Sequence, residues 1–263
     1  MDSTYFWGGI VLLNILGPPE LCGRRRNLQI AGRKLGKVAG LLAVRANQYV
    51  STQTISEELW AGSPPRNELT TIRTHVYNLR RMLESVQGEP PQARLLTRPM
   101  GYLLSVPAEL VDVAVFKHGV TRGRVLLAEG RNAEAADTFR DALAVWRGSA
   151  LAGVAAGPVL AGHVAELTER RANALEYRIE ADLLAGRHRE LLPELRELVG
   201  ADPLNEWMQA RLIEALVRLG RSGEALRSFQ DARTQLDEQL GLEPSVELRR
   251  AQHRILAAAH GQR

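Results

Sequence analysis

The stretch "TTIRTHVYNLRRML", residues 70–83, sets three arginines, three threonines, a histidine, a tyrosine and an asparagine among five apolar residues. On a helix turning 100° per residue, Ile72, Val76, Leu79 and Leu83 fall within about 60° of one another, the stripe of a buried face. Leu69 and Met82 flank that stripe. Thr70, Thr74, Tyr77, Asn78 and Arg81 lie opposite, with Arg73 and Arg80 at the edge of the exposed arc. A solvated face ordinarily mixes Glu with Lys in compensating pairs, yet no acid stands between Ile72 and Leu83. Hydroxyls, an amide, a phenol and guanidinium groups are the donors that contact phosphates and base edges in a major groove. The stretch is therefore either a basic surface helix or a recognition surface. In the second case Arg73, Thr74, His75, Tyr77, Asn78 and Arg81 are its contact residues. His75, on the edge of the buried stripe, packs or meets a phosphate.

The neighbouring segments favour recognition. "IVLLNIL" (10–16) ends at Gly17-Pro18-Pro19, and "NLQI" (27–30) follows the basic turn "GRRR", so the chain opens with strands. "KVAGLLAVRANQYV" (37–50) places Val38, Leu41, Leu42 and Arg45 at helical spacing. Ser51 or Thr52 can cap a short helix, "TISEELW" (54–60). "AGSPPRNE" then reads as a loop, because Pro65 forces Pro64 out of helical geometry. After the basic helix, "ARLLTRP" and "GYLLSV" flank Met100-Gly101 as a β-hairpin, with Arg98 at its turn. An arginine there suits a wing touching the DNA backbone or a narrow minor groove, or is incidental to a tight hairpin. Tyr102 reads as a packing residue. The order sheet, helix, short helix, loop, helix, hairpin is that of a winged helix-turn-helix.

From Asp112 onward helical patterns dominate. "EGRNAEA", "AGRHREL" and "LGRSGEA" each carry Gly-Arg-x-x-Glu, with glycines at 130, 186 and 220. The last two are 34 apart, the tetratricopeptide period, and the first two are 56 apart, one period plus an insertion. Stacked helical hairpins account for this better than a plain bundle. The fold class expected is mainly α: an N-terminal α+β winged helix-turn-helix (1–110), then an all-α tetratricopeptide-like domain (111–263).

Charge divides along the same line. Residues 1–105 hold 13 Lys and Arg against 7 Asp and Glu, and the remainder 21 against 23, within a formal net charge of +4. A basic front half suits a polyanionic partner. The chain has 45% hydrophobic and 24% charged residues, an ordinary globular balance. Its one cysteine, Cys22, allows neither an internal disulfide framework nor a zinc cluster and fits a reducing cytosol. The apolar run near the start is too short to span a bilayer and lacks a basic leader, so neither signal peptide nor membrane anchor is expected.

These segments resemble a known family. "TTIRTHVYNLRRML…LLTRPMGYLL" looks like the DNA-binding domain of OmpR-type winged-helix regulators. "ISEELWAGSPPRNELTTIRTHVYNLRRML", "VDVAVFKHGV", "LAVWRGSAL", "YRIEADLLAGRHREL" and the long segment from "LIEALVRLGRSGEAL" to "RAQHRIL" resemble the Streptomyces antibiotic regulatory protein (SARP) family, in order, from Ile10 to about Leu256. The resemblance implies a transcriptional activator of an antibiotic or other secondary-metabolite gene cluster. Its second part would be the bacterial transcriptional activation domain. It further implies side-by-side protomers, a homodimer on DNA, on tandem direct repeats of double-stranded DNA. RNA polymerase holoenzyme, sigma factor included, would be recruited. The family loop that touches the polymerase corresponds here to Ser63, Pro64, Pro65 and Arg66, which could equally be a connector stiffened by proline. "RKLGKVAGLL" departs from the family pattern: Gly36 stands where a basic residue is usual, so the phosphate contact passes to Lys37. Gly36 and Gly40 should each weaken the helix by about 1 kcal/mol relative to alanine.

Other classes have less support. "AGRKLGKV" has the spacing of a phosphate-binding loop, but Val38 replaces the Mg²⁺-ligating hydroxyl. His75, His118, His163, His188, His253 and His260 form no HExxH or His/Cys cluster, so no enzyme, metal or cofactor is expected. Neither a receiver domain ahead of the sheet nor an ATPase domain downstream is expected. The rival reading from another class is a helical-repeat scaffold with a basic surface. It leaves the acid-free helix and the hairpin unexplained.

Overall fold

The computed structural model describes residues 5–6, 9–10, 12–23, 26–88 and 90–260, with side chains from Leu12 to Ala258. Val11, Arg24 and Arg25, which belong to the strand and basic turn expected near the start, lie outside these residues. The chain divides into two compact units, Met1–Arg178 and Ile179–Arg263.

In the first unit, β1 (Tyr5–Phe6) pairs with β2 (Gly9–Ile10), and β3 (Leu13–Asn14), β4 (Glu20–Cys22) and β5 (Asn27–Gln29) form an antiparallel sheet. Helix α1 (Arg33–Val44) leads into strand β6 (Tyr49–Ser51), then α2 (Thr52–Trp60) and α3 (Glu68–Val86). The hairpin β7 (Arg94–Arg98) and β8 (Gly101–Ser105) completes a second antiparallel sheet of order β6-β8-β7. Residues 45–50, expected to continue the first helix, instead turn at Asn47, whose φ is +63°, and enter β6. Asn47 stabilises that exit: its side-chain amide accepts from the Val106 N–H at 3.0 Å and donates to the Val106 carbonyl at 2.7 Å. Ser51 caps α2, its Oγ accepting from the Thr54 N–H at 3.0 Å.

The same core continues past residue 110. Helices α4 (Asp112–Ala128), α5 (Asn132–Ala144) and most of α6 (Pro158–Leu184) belong to the first unit, and one hydrophobic cluster runs from Leu12 through Phe116 and Trp146 to Ala174. Two buried carboxylates stitch it. Asp112, 1% exposed, accepts the N–H groups of Ile15, Leu16 and Val113, so one side chain tops α4 and holds the segment that follows β3. Burial pushes its pKa up to about 7, while the three amides and Arg147 pull the other way. Glu58, also 1% exposed, reaches from α2 to the start of α6, where it accepts the N–H groups of Gly157, Val159 and Leu160. Pro158 opens that helix with no N–H to satisfy, and Gly157 has no side chain to cap it. A Cβ at Gly157 would stand 2.1 Å from the Glu58 carbonyl oxygen, which explains the glycine.

Gly36 and Gly40 have a packing reason as well. A Cβ at Gly36 would meet Val154 at 2.8 Å and one at Gly40 would meet Leu151 at 2.8 Å. The residues that cost α1 helix propensity are those on which the 151–154 segment lies.

The second unit holds the end of α6 with α7 (His188–Ala201), α8 (Glu206–Arg218), α9 (Ser222–Leu240) and α10 (Val246–His260). The three Gly-Arg turns are built alike. Gly130, Gly186 and Gly220 have φ of +74°, +79° and +74°. In each, the arginine N–H returns to a carbonyl five residues back: Arg131 to Leu126, Arg187 to Asp182, Arg221 to Leu216. This is the Schellman termination, which glycine makes without steric penalty. Among the described residues no helix is long and apolar enough to cross a membrane.

Glu58→Ala should leave three amide donors at the start of α6 unpaired in a buried setting. A loss of about 2–4 kcal/mol is expected in urea unfolding followed by tryptophan fluorescence, with Glu58→Gln losing less. A change below about 1 kcal/mol would show that the carboxylate is dispensable to the core.

Candidate nucleic-acid interface

The buried side of α3 is Ile72, Val76, Leu79, Leu83 and Val86, the expected stripe plus one further turn. Its first turn is fixed by Glu68, whose carboxylate accepts from Ser56 Oγ on α2 and favours the positive end of the helix dipole. With the stripe inward, Arg73, Thr74, Tyr77, Asn78 and Arg81 are all exposed, Tyr77 at 53%. Thr74, Tyr77, Asn78 and Arg81 thus share a face about 10 Å long on the helical rise, a length that a major groove admits. Arg81 lies 3.4 Å from the Tyr77 hydroxyl, and Thr74 Oγ1 donates to the Thr70 carbonyl at 3.0 Å.

Three predicted residues stand elsewhere. The half-buried Lys37 ammonium donates to the Glu58 carbonyl at 3.0 Å, a brace between α1 and α2. His75 is half-buried, and its Nδ1 has no hydrogen-bond partner. Burial, then the charge of Lys34, lowers its pKa, which disfavours the charged form. Arg98 is exposed at the end of β7. Ser63, Pro64, Pro65 and Arg66 are all exposed in the α2–α3 loop, which follows left-handed Ala61 and Gly62.

The sequence reading missed the joint between helix and wing. Arg80, placed at the edge of the exposed arc, turns toward the hairpin. Its guanidinium donates twice to the Leu95 carbonyl, at 3.1 and 2.7 Å, and reaches Thr97 Oγ1 at 3.3 Å. Gln87 closes the same joint two turns later, accepting from the Ala93 N–H at 2.7 Å and donating to the Ala93 and Leu83 carbonyls. Strand β7 is the sheet edge, so these side chains occupy an edge that would otherwise be open. The available signal was the chemistry itself, since guanidinium and amide groups suit free strand carbonyls. Sequence spacing does not say which strand is near.

Electrostatics separate this surface from the helical half. There, Arg131 pairs with Glu129 and Glu134, Arg221 with Glu224, and Arg211 with Glu214 and Glu247. By contrast, the side chains of Arg66, Arg73, Arg94 and Arg98 have no carboxylate or hydrogen-bond partner among the described residues.

A buried-stripe helix with an uncompensated cationic face, carried on a helix–loop–helix and followed by a braced hairpin, defines a winged-helix regulator of the DNA-binding class, here continued into helical hairpins. The comparisons agree. The family described as "Transcriptional regulatory protein, C terminal" matches residues 31–104, and "Bacterial transcriptional activator domain" matches residues 111–256. The regulatory protein DnrI of Streptomyces peucetius is 38% identical over 253 residues, 95% of this chain and 93% of its own length. The transcriptional regulator RedD of Streptomyces coelicolor is 35% identical over 257 residues, 97% of this chain and 73% of its own. The solved structure of Mycobacterium tuberculosis EmbR in complex with a low affinity phosphopeptide matches with a TM-score of 0.83 at 28% identity. That match covers 93% of this chain and 64% of the other. The chain belongs to the SARP family of transcriptional activators.

Arg80→Ala should free the β7 edge. Faster amide hydrogen exchange across Arg94–Arg98 is expected, with about 1–2 kcal/mol lost from the local opening energy. Unchanged exchange there would show that Arg80 does not hold the hairpin.

Proposed function

We propose that the protein is a sequence-specific DNA-binding activator of an antibiotic or related secondary-metabolite gene cluster, acting in the cytoplasm. The observation that carries this reading is the exposed face of α3, where Arg73, Thr74, Tyr77, Asn78 and Arg81 stand together with no acid among them. Asn and Arg on such a face suit bidentate contacts to adenine and guanine edges, and the threonines and Tyr77 suit phosphates and thymine methyl groups. Arg98 on the wing meets the backbone or minor groove. Lys37 and His75 contribute less, the first through its bond to Glu58 and the second because burial disfavours its charged form. Two protomers sit side by side on tandem direct repeats, a homodimer formed on DNA. The division of labour is residues 1–110 for DNA and residues 111–263, the helical hairpins, for activation. RNA polymerase holoenzyme with its sigma factor is engaged through Ser63, Pro64, Pro65 and Arg66, a reading that their exposure in the α2–α3 loop supports.

The decisive experiment is fluorescence-polarisation binding to duplexes selected from a direct-repeat library, at several salt concentrations, beside the same duplexes with one repeat scrambled. Binding that favours paired repeats and weakens steeply with salt is expected, since each neutralised phosphate adds about one log unit per log unit of salt. Salt-insensitive or absent binding would favour the helical-repeat scaffold instead. The double variant Asn78→Ala/Arg81→Ala should lose about 1–3 kcal/mol per bidentate contact and relax sequence preference; retained affinity and preference would remove α3 from recognition. Replacing Pro64 and Pro65 with serine should leave operator affinity intact while lowering transcription in vitro. Equal loss of both would make the loop structural.

A further inference from the structure

The tip of the wing breaks a local rule. Strands β7 and β8 join through Pro99 and Met100, with Arg98 paired to Gly101. Proline suits the first position of such a turn, but the second is left-handed, with Met100 at φ +54°. Glycine or asparagine holds that conformation readily, whereas a methionine is strained in it. Met100 is also 74% exposed, more than any other large apolar side chain among the described residues. The side chain therefore burdens the fold with strain and with apolar surface, and gains nothing from packing.

The tip is nevertheless held firmly. The Met100 carbonyl accepts from the Thr52 N–H at 2.9 Å and from Thr52 Oγ1 at 3.2 Å. The Tyr49 hydroxyl lies 2.8 Å from the same oxygen and 3.0 Å from the Pro99 carbonyl. Beneath the tip, a Cβ at Gly101 would stand 2.4 Å from the Val50 carbonyl and 2.5 Å from the Tyr49 ring, so the chain there is pressed close. Since Arg80 and Gln87 tie β7 to α3, Met100 is a rigid apolar point in fixed register with the recognition helix. Residues 91–108 contain no acid, and unpartnered Arg98 stands beside the tip.

We propose that Met100 is an apolar wedge that the wing presses into a base step from the minor groove, partly unstacking it and bending the DNA. Methionine is among the side chains that open base steps in this way, and arginine beside it is drawn by the negative potential of the groove. Arg98 supplies charge and Met100 supplies shape. The step opposite the wing should accordingly be one that kinks easily, a pyrimidine–purine step such as TA or CA. This rests on the DNA-binding reading above.

The test uses the full chain and a selected direct-repeat duplex. Affinity is measured by polarisation at several salt concentrations, bending by energy transfer between end labels, and unstacking by 2-aminopurine at the step facing the wing. Met100→Gly and Met100→Asn both suit φ +54° and should melt no lower than the unsubstituted protein. Each should bind about tenfold more weakly, with the bend and the 2-aminopurine signal reduced and the salt slope unchanged. Met100→Leu should retain both signals. Arg98→Ala should behave in the opposite manner, flattening the salt slope by about one while leaving the 2-aminopurine signal in place. Wild-type bending and affinity in the glycine and asparagine variants would overturn the proposal, as would a straight duplex in a tight wild-type complex. Absence of any salt-sensitive DNA binding by the unsubstituted chain would overturn the DNA reading itself, and the wedge with it.

Discussion

The Glu58 carboxylate is withdrawn from solvent and faces three amide protons at the start of a helix about a hundred residues further along the chain. Burying a carboxylate is unfavourable unless donors replace its hydration. Here the donors are the unpaired N–H groups of α6, at the positive end of its dipole. The Glu58 main chain takes part too, since its carbonyl receives the Lys37 ammonium and lies against Gly157. The first helix of the helix–loop–helix is thus positioned by α1 on one side and α6 on the other. Asp112 does the corresponding work for the N-terminal sheet and α4, and the Arg147–Glu20 ion pair at 2.6 Å lies on the same seam. The helix–loop–helix consequently stands on a core that includes the first helical hairpin.

Around that core, charge is sorted by use. Arginines of the helical turns are neutralised within their own turns, as Arg131 and Arg221 are by the glutamate three residues on. Arginines of α3 are split between two tasks. Arg80 is committed to the hairpin, while the Arg73 side chain has no partner among the described residues and Arg81 lies against the Tyr77 hydroxyl. The formal charge of +4 therefore understates the field at the α3 surface, because most of the compensating acids lie in the other half of the chain.

Features with a short period were legible in the sequence. The stripe of α3 follows from 3.6-residue spacing, the wing from two apolar runs about a proline turn, and the three helical hairpins from Gly-Arg-x-x-Glu. Features that depend on distant partners were not. Glu58 reads as a surface glutamate in a short amphipathic helix, and nothing near it announces Gly157 or Leu160. Lys37 reads as a free cation for the same reason. Arg80 differs from Arg81 by only 100° of helix rotation, which periodicity alone cannot convert into a bond to Leu95. Gly36 and Gly40 look like defects in α1 until the 151–154 segment is seen lying on them.

The Glu58 cap also orders events during synthesis. Chains emerge from the ribosome N-terminus first, and domains tend to fold as they appear. The winged-helix residues leave the tunnel well before Gly157 and Leu160 do, so during that interval Glu58 lacks the amides that stabilise it in the core. The core around the helix–loop–helix is completed only when the first helical hairpin and the start of α6 have followed it out. Nascent and truncated chains that stop short of α6 therefore present the winged-helix elements without the amides that hold Glu58 in the core.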